Sequence, residues 1–218
     1  MKIIDLSLTI DNKCLTCGTK WHQKVKITPL GRIDEVGRNT HSILLGSHSA
    51  THIDAPLHFF EEGIGVDTLK LEELCGEISV VDFSWKKKWD TVCIDDVSSL
   101  DIHQRMIFRF DWFKKWKQSD YYEGFPFFDL DAAQYLVDKG MRFMALDTPS
   151  PDNGAAINNK DDSPVHKLLL GKKVIIAEYL TNTNLLDVSK RYNIIALPLK
   201  IQGCDGCPAR IIAIEKES

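Results

Sequence analysis

The chain has 218 residues, of which 44% are hydrophobic and 27% are charged, as is typical of a soluble globular protein with one sizeable core. Its net charge of −4 offers no electrostatic basis for binding nucleic acid, and the short basic stretch at 114–117 is better explained as a solvated face. Because no apolar run approaches the length of a membrane span and residues 1–7 lack the apolar region of a signal peptide, we expect a cytoplasmic protein that binds neither nucleic acid nor membrane.

Segments with strand character outnumber helical ones along the chain. Runs rich in Val, Ile and Phe predict strands at 3–8, 24–28, 42–45, 77–83, 105–110, 141–146, 173–177, 194–198 and 210–214. Helices are predicted at 129–139, which begins with an acidic cap and ends before a glycine, and at 163–170, which begins with Ser-Pro. Since the sequence contains no repeat and no linker, we predict one α/β domain over residues 1–218 with a mixed, barrel-like β core.

The segment at 46–58 follows the third predicted strand and concentrates residues that bind metals. Two imidazoles and a carboxylate suit a divalent cation such as Zn²⁺ or Mn²⁺, so we predict His48, His52 and Asp54 as ligands. His58 is then left over as a proton-transfer group. A polar loop without metal is the alternative interpretation. Ser, Thr and Ile make the segment a poor helix, and we place it on a turn or short helix at a strand end.

A second cluster lies far along the chain, at the ends of predicted buried elements. His166 lies in the helix at 163–170, and Glu178 follows the apolar strand that ends at 177. A carboxylate in such a place is costly unless it is paired or binds metal, although it also suits the cap of the next turn. Asp147 follows another apolar strand, where Asp-Thr-Pro-Ser is a good turn sequence in its own right. With His166 and Glu178, Asp54 is able to bridge a pair of cations about 3.5–4 Å apart.

The cysteines form two C-x-x-C pairs near opposite ends of the chain, Cys14 with Cys17 and Cys204 with Cys207. Together they are able to form a shared structural zinc site, but ribbon-type pairs normally lie about 15–20 residues apart. Redox pairs and plain reduced thiols are the other interpretations. The pattern leaves all three open.

Six separated blocks of the sequence resemble the metal-dependent cyclase family, which includes bacterial kynurenine formamidase and isatin hydrolase. The central block, 48–58, is similar to the family signature H-x-x-x-H-x-D-x-P-x-H. The likeness extends over nearly the whole chain, in the same order, through blocks at 4–7, 140–150, 166–169, 177–182 and 197–210.

The resemblance implies a swivelling β/β/α-type domain around a barrel-like core. It implies that His48, His52 and Asp54 bind one zinc, that Asp54, His166 and Glu178 bind a second, and that His58 transfers the proton. It also implies one or two Zn²⁺ ions per subunit, or Mn²⁺ instead, and a homodimer or homotetramer that takes a small-molecule substrate.

The early loop departs from the family pattern. Formamidases carry a tryptophan there that packs on the aromatic substrate, whereas this chain has Cys17 at that place and Trp21 four residues later. We therefore take Cys17, Trp21 and Cys204 as candidate substrate contacts. Thr51 and Asp147 are candidates for orienting the imidazoles.

The predicted activity is metal-dependent hydrolysis of a small amide, similar to an arylformamidase that converts N-formylkynurenine and water to kynurenine and formate. Hydrolysis, cyclisation or dehydration of another cyclic or non-aromatic substrate is the alternative enzymatic interpretation. A non-catalytic protein that binds metal through the C-x-x-C pairs is the non-enzymatic one.

Overall fold

The structure is a computed structural model and describes residues 1–156 and 162–216. Within these residues the strands are β1 Ile3–Asp5, β2 Lys26–Gly31, β3 Thr40–Leu44, β4 His52–Asp54, β5 Cys75–Asp82, β6 Thr91–Val92, β7 Arg105–Arg109, β8 Phe127–Phe128, β9 Phe143–Leu146, β10 Ile175–Glu178, β11 Tyr192–Pro198 and β12 Gly206–Glu215. The α-helices are α1 Ile33–Val36, α2 Leu71–Leu74, α3 Ile94–Val97, α4 Leu130–Asp138 and α5 Pro164–Gly171.

A closed barrel forms the centre of this fold. Its strands run in the order β12-β11-β5-β7-β9-β10-β4, and the circle closes because β4 also pairs with β12. The neighbours from β5 through β10 are parallel, whereas the pairings of β4, β11 and β12 are antiparallel. The predicted mixed, barrel-like core is therefore confirmed.

Side chains along the barrel strands point alternately inward and outward, and this divides the buried apolar residues into two clusters. On β7, Ile107 belongs to a cluster to which all the barrel strands contribute, so this cluster fills the interior. Its neighbours Met106 and Phe108 face the other way, onto a second cluster shared with α4 and α5. Helices therefore cover the outer face of the parallel strands, which explains why β9 and β10 are buried along their whole length.

The predicted strands and helices are present, with small shifts at their ends. The main correction concerns β4, since the structure makes His52–Asp54 a barrel strand rather than a turn or short helix. Three residues are too few to show a period of two, and β4 exists because β10 and β12 pair with it from both sides. The short helices α1, α2 and α3 and the short strands β6 and β8 were not predicted.

A hairpin of β2 and β3 lies outside the barrel sheet. Every residue of β3 is exposed, and the apolar side chains of Leu30, Ile33, Ile43 and Leu44 are exposed on this hairpin and the turn of helix between its strands. Among the described residues, no helix is both long enough and apolar enough to span a membrane.

Candidate metal centre

Strand β4 places the predicted ligands on the outer face of the barrel. Ile53 points into the barrel interior, so His52 and Asp54 on either side of it point outward, toward α5. In the neighbouring strand β10, Glu178 lies directly opposite His52 in the antiparallel register. His48 comes from the turn that precedes β4.

Three donor atoms converge at the first position. The Nδ1 atom of His48 lies 2.8 Å from Oδ1 of Asp54, and Nε2 of His52 lies 3.1 Å from the same oxygen. Two imidazole nitrogens and a carboxylate oxygen at such a point match the donor set that zinc prefers.

The other oxygen of Asp54 belongs to a second group. Its Oδ2 atom lies 3.4 Å from Nε2 of His166, which in turn lies 3.1 Å from Oε1 of Glu178. The Oε2 atom of Glu178 also approaches Nε2 of His52, at 3.4 Å. The two oxygens of Asp54 therefore face one group each, as a bridging carboxylate does.

Atoms of this cluster lack ordinary hydrogen-bond partners. Within the described residues, the Nε2 of His52, the Oδ2 of Asp54 and the Oε1 of Glu178 are buried and accept or donate no hydrogen bond. An unsatisfied buried polar group costs about 1–3 kcal/mol, and a charged one more. These three side chains each offer a ligand atom within 4.8 Å of the others, so the residues present fit bound cations, which would satisfy these atoms.

The electrostatics of the two carboxylates agree with this fit. Burial alone would raise the pKa of Asp54, but the adjacent imidazoles of His48 and His52 hold this pKa well below its usual value. Burial, and then the negative charge of Asp54, raise the pKa of Glu178. Two buried carboxylates this close repel each other, and a divalent cation between them removes that repulsion.

Each candidate ligand histidine is oriented through its other nitrogen, as metal-binding histidines usually are. Nε2 of His48 lies 2.7 Å from Oδ2 of Asp205. Nδ1 of His52 lies 2.8 Å from the carbonyl oxygen of Ala50. Nδ1 of His166 lies 2.6 Å from Oδ2 of Asp152. Asp152 also accepts from the backbone N–H groups of Val165 and His166, so the carboxylate fixes both the start of α5 and its imidazole.

His58 lies over the first position at the end of the 3₁₀ turn Pro56–His58. Its ring centroid is 4.0 Å from that of His48, and its Nδ1 lies 3.1 Å from Oδ2 of Asp205. Burial lowers the pKa of His58, which favours the neutral, proton-accepting imidazole. A nitrogen of His58 also comes within 4.8 Å of donor atoms of His48 and Asp54, close enough for a ligand. The metal content of a variant without His58 decides whether His58 is a proton acceptor or a metal ligand.

A cavity of about 430 Å³ opens onto this cluster. One side is aromatic, with the hydroxyl groups of Tyr122 and Tyr179 3.3 Å apart. The early loop supplies Trp21, whose side chain is 68% exposed, and Cys17, whose Sγ lies 2.6 Å from Nδ1 of His22. A larger cavity of about 760 Å³ is lined by residues of the two chain ends and of the segment 189–191, with none of the predicted site residues among them.

The remaining predicted contacts lie elsewhere among the described residues. Cys204 does not line the cavity, and its carbonyl oxygen accepts from Val66. Thr51 donates to the carbonyl oxygen of Tyr179 and accepts from the backbone N–H of Leu8, so it ties the N-terminal segment to β4 rather than orienting an imidazole. Among the described residues, no group of three metal-capable side chains contains a cysteine, and all the cysteines are free thiols.

Asp147 also serves the backbone rather than an imidazole. Its carboxyl group accepts from the N–H groups of Phe110 and Asp111, at 2.9 Å each, and from the hydroxyl of Thr183 at 2.6 Å. Asp147 therefore joins the ends of β7 and β9 to the segment after β10. The acids that do orient imidazoles, Asp152 and Asp205, were not predicted. Asp205 lies in the block at 197–210, but Asp152 has no comparable signal in the sequence.

Replacing Asp147 with Asn should destabilise the protein by about 1–3 kcal/mol, because an amide nitrogen cannot accept from the backbone N–H groups it would face. Chemical denaturation at pH 5 measures this, with the exposed Asp34→Asn as the matched control, expected within about 0.5 kcal/mol of wild type. Equal stabilities of the two variants would contradict the linking role.

The contribution of Asp147 to the stability of the folded protein should depend on pH. Burial raises the pKa of Asp147 from 3.8 to about 7. The folded protein therefore holds a proton that the unfolded chain releases, and the stability from this group falls as the pH rises from about 4 to about 7. The stability gap between wild type and Asp147→Asn should narrow over that range, and a widening gap would contradict the sign.

Comparison with known proteins supports the family resemblance. The model of the Cyclase family matches residues 4–153. Kynurenine formamidase from Salinibacter ruber is 30% identical over 216 residues, which cover 97% of this chain and 97% of that protein.

Solved structures agree in fold. A potential metal-dependent hydrolase with cyclase activity is 27% identical, with a TM-score of 0.80 over 100% of this chain and 99% of its own. An isatin hydrolase bound to the product analogue thioisatinate has a TM-score of 0.87 at 24% identity, over 99% of this chain and 93% of its own. The second likeness shows the fold alone.

Proposed function

Because the chain belongs to the Cyclase family, we propose that it is a metal-dependent enzyme that hydrolyses the C–N bond of a small amide. The observation that carries the proposal is the set of buried, unpartnered atoms on His52, Asp54 and Glu178, which converge where a cation fits. A bound divalent cation activates water and polarises a carbonyl group.

Among the described residues, the three-residue groups whose ligand atoms all lie within 4.8 Å of one another are His48 with Asp54 and His58, and His52 with Asp54 and Glu178. The division that we propose is instead the one that the family resemblance implies. We assign His48, His52 and Asp54 to one Zn²⁺ and Asp54, His166 and Glu178 to a second, with Mn²⁺ as the other candidate ion. The distances from each oxygen of Asp54 to a separate imidazole support this division.

His58 supplies the proton transfer in this proposal. Its neutral imidazole accepts a proton from the attacking water and returns it to the leaving nitrogen. Asp152 and the carbonyl oxygen of Ala50 hold the imidazoles of His166 and His52 in place throughout.

The substrate we propose is N-formylkynurenine, which gives kynurenine and formate. Relatives such as that from Salinibacter ruber are kynurenine formamidases, and the cavity has aromatic walls, formed by Phe59, Tyr122 and Tyr179, for an aryl ring. Trp21 and Cys17 border the same cavity and are the proposed contacts on the loop side.

The test is release of kynurenine from N-formylkynurenine by protein loaded separately with Zn²⁺ and with Mn²⁺. We expect kcat/KM of about 10⁴ M⁻¹s⁻¹ or more with at least one ion. Trace activity in protein that has bound metal would reject the aryl formamide as substrate, and a panel of cyclic and non-aromatic amides would then identify the class. A product that is dehydrated or cyclised would reject hydrolysis itself.

Modification of Cys17 should block the cavity. Iodoacetamide adds a group to the Cys17 thiol at the cavity wall, and turnover should fall by about tenfold or more because the substrate is misplaced. A Cys17→Ser variant serves as the matched control, and the same treatment should leave it with the activity that it had before treatment. Equal loss in both proteins would place the sensitive thiol elsewhere.

We also propose a homodimer or homotetramer, with the exposed apolar residues of the β2–β3 hairpin in the contact, and a cytoplasmic location, which suits free thiols. Light scattering, which measures how many subunits associate, tests the proposed oligomer when wild type is compared with an Ile43→Asp variant.

A further inference from the structure

Asp205 is held against the metal centre by its backbone. It lies immediately before β12, and its carbonyl oxygen accepts from the N–H of Ala55 at 2.9 Å, just after β4 ends. The next residue, Gly206, pairs with Asp54 in the barrel register. The position of the Asp205 carboxylate relative to β4 is therefore set by the barrel itself.

The glycine after Asp205 permits this close approach. A Cβ atom on Gly206 would lie 2.6 Å from Cε1 of His48, which is too near unless the ring shifts, and 3.0 Å from the carbonyl oxygen of Ile53, which is a tight contact. The chain thus passes directly beside the imidazole of His48. This leaves the carboxylate of Asp205 beside that ring and the ring of His58.

One oxygen of Asp205 serves both imidazoles. Its Oδ2 atom lies 2.7 Å from Nε2 of His48 and 3.1 Å from Nδ1 of His58. The two rings are themselves in contact, with centroids 4.0 Å apart and planes inclined by 35°. A single acceptor therefore connects a candidate metal ligand with the candidate proton-transfer group.

We propose that Asp205 is a positioning residue that fixes His58 for proton transfer and aligns it with the metal ligand His48. The inference rests on the proposed hydrolysis and adds a residue to it. A carboxylate accepts hydrogen bonds but donates none, so both imidazoles carry their N–H on the side of Asp205. His58 is then left with a free lone pair on Nε2, and His48 with one on Nδ1, the atom that faces Asp54.

This arrangement predicts where a change at Asp205 acts. In Asp205→Asn the side chain keeps its size and one carbonyl oxygen, but it loses the negative charge that strengthens the hydrogen bonds to both imidazoles. Removing such a supporting carboxylate typically costs about 10–100-fold in metal affinity or activity. We expect the loss in kcat, with little change in KM, because the aromatic walls of the cavity, Phe59, Tyr122 and Tyr179, are unchanged.

The test is a double-mutant cycle at saturating metal, with metal content measured for each protein. Asp205→Asn should lower kcat by about 10–100-fold in the wild-type background and by much less in a His58→Ala background, where only its contact with His48 remains. The matched control is Asp152→Asn, which acts through His166 and should cost the same in both backgrounds. An unchanged kcat, a full loss in the His58→Ala background, or a loss explained by missing metal would overturn the proposal.

A second measurement does not depend on activity. The nitrogen NMR spectrum of the imidazole side chains in zinc-loaded protein should show His58 with its proton on Nδ1, and in Asp205→Asn a shift of population toward the Nε2–H form. A proton on Nε2 in the wild type, or identical spectra in the two proteins, would overturn the proposal. If the wild type hydrolyses no amide while the Nδ1–H form is observed, the proposed function fails and the positioning by Asp205 stands.

Discussion

Replacing Asp54 with alanine should remove both the bound metal and the activity. The carboxylate contributes Oδ1 to the group with His48 and His52 and Oδ2 to the group with His166, so its loss damages both positions. Without the cation, amide hydrolysis loses its water activation and carbonyl polarisation, and kcat should fall by at least about 10⁴-fold. Elemental analysis after gel filtration and the formylkynurenine assay measure the two losses.

Two further variants serve as controls, and the first shows how much of the loss comes from the negative charge of Asp54 and how much from the loss of its oxygen atoms. Asp54→Asn keeps one carbonyl oxygen near the imidazoles, so it should retain more metal than Asp54→Ala, although less than wild type. Asp187→Ala, an exposed change outside the cluster, should leave both measurements unaltered. A fully metallated and active Asp54→Ala protein would contradict the two-cation arrangement.

Replacing His58 with alanine should have the second largest effect, of another kind. The variant should keep its metal, because each of the proposed positions retains its donor atoms, but lose about 10²–10⁴-fold in kcat with the general base. His41→Ala, an exposed histidine on β3, is the matched control and should behave as wild type. The same metal assay and kinetic assay apply to all three proteins.

Metal content decides between the two roles that geometry allows His58. Its nitrogen is near enough to His48 and Asp54 to bind a cation itself. Loss of metal from His58→Ala, in proportion to the loss of activity, would make His58 a ligand and contradict its assignment as the proton-transfer group.

The long elements of the fold could be predicted from sequence because each carries its own signal. Asp129 precedes α4 and its side chain accepts from the backbone N–H of Ala132, which caps the helix. β9 is a continuous apolar run, and β10 is apolar up to its last residue, Glu178. β4 could not be predicted in this way. His52–Asp54 is a strand only because β10 and β12 lie on both sides of it, and that pairing joins residues far apart in the chain.

In the candidate site, too, some residues could be predicted from the sequence and others could not. His48, His52 and Asp54 lie close together in sequence, and the expected convergence with His166 and Glu178 follows from the register of β4 with β10 and the packing of α5. Supporting residues depend on finer geometry. Asp147 and Asp152 both follow β9 and both accept from backbone N–H groups, yet only Asp152 also binds an imidazole, a difference that spacing does not predict.

The most direct measurement is a titration of metal-free protein with Zn²⁺ or Mn²⁺, in which bound metal and the rate of kynurenine release are followed together. We expect no turnover in chelated protein, a rise in rate with bound metal, and a plateau when the sites around Asp54 are filled. Undiminished hydrolysis by protein that holds no metal would contradict metal-dependent catalysis at this centre.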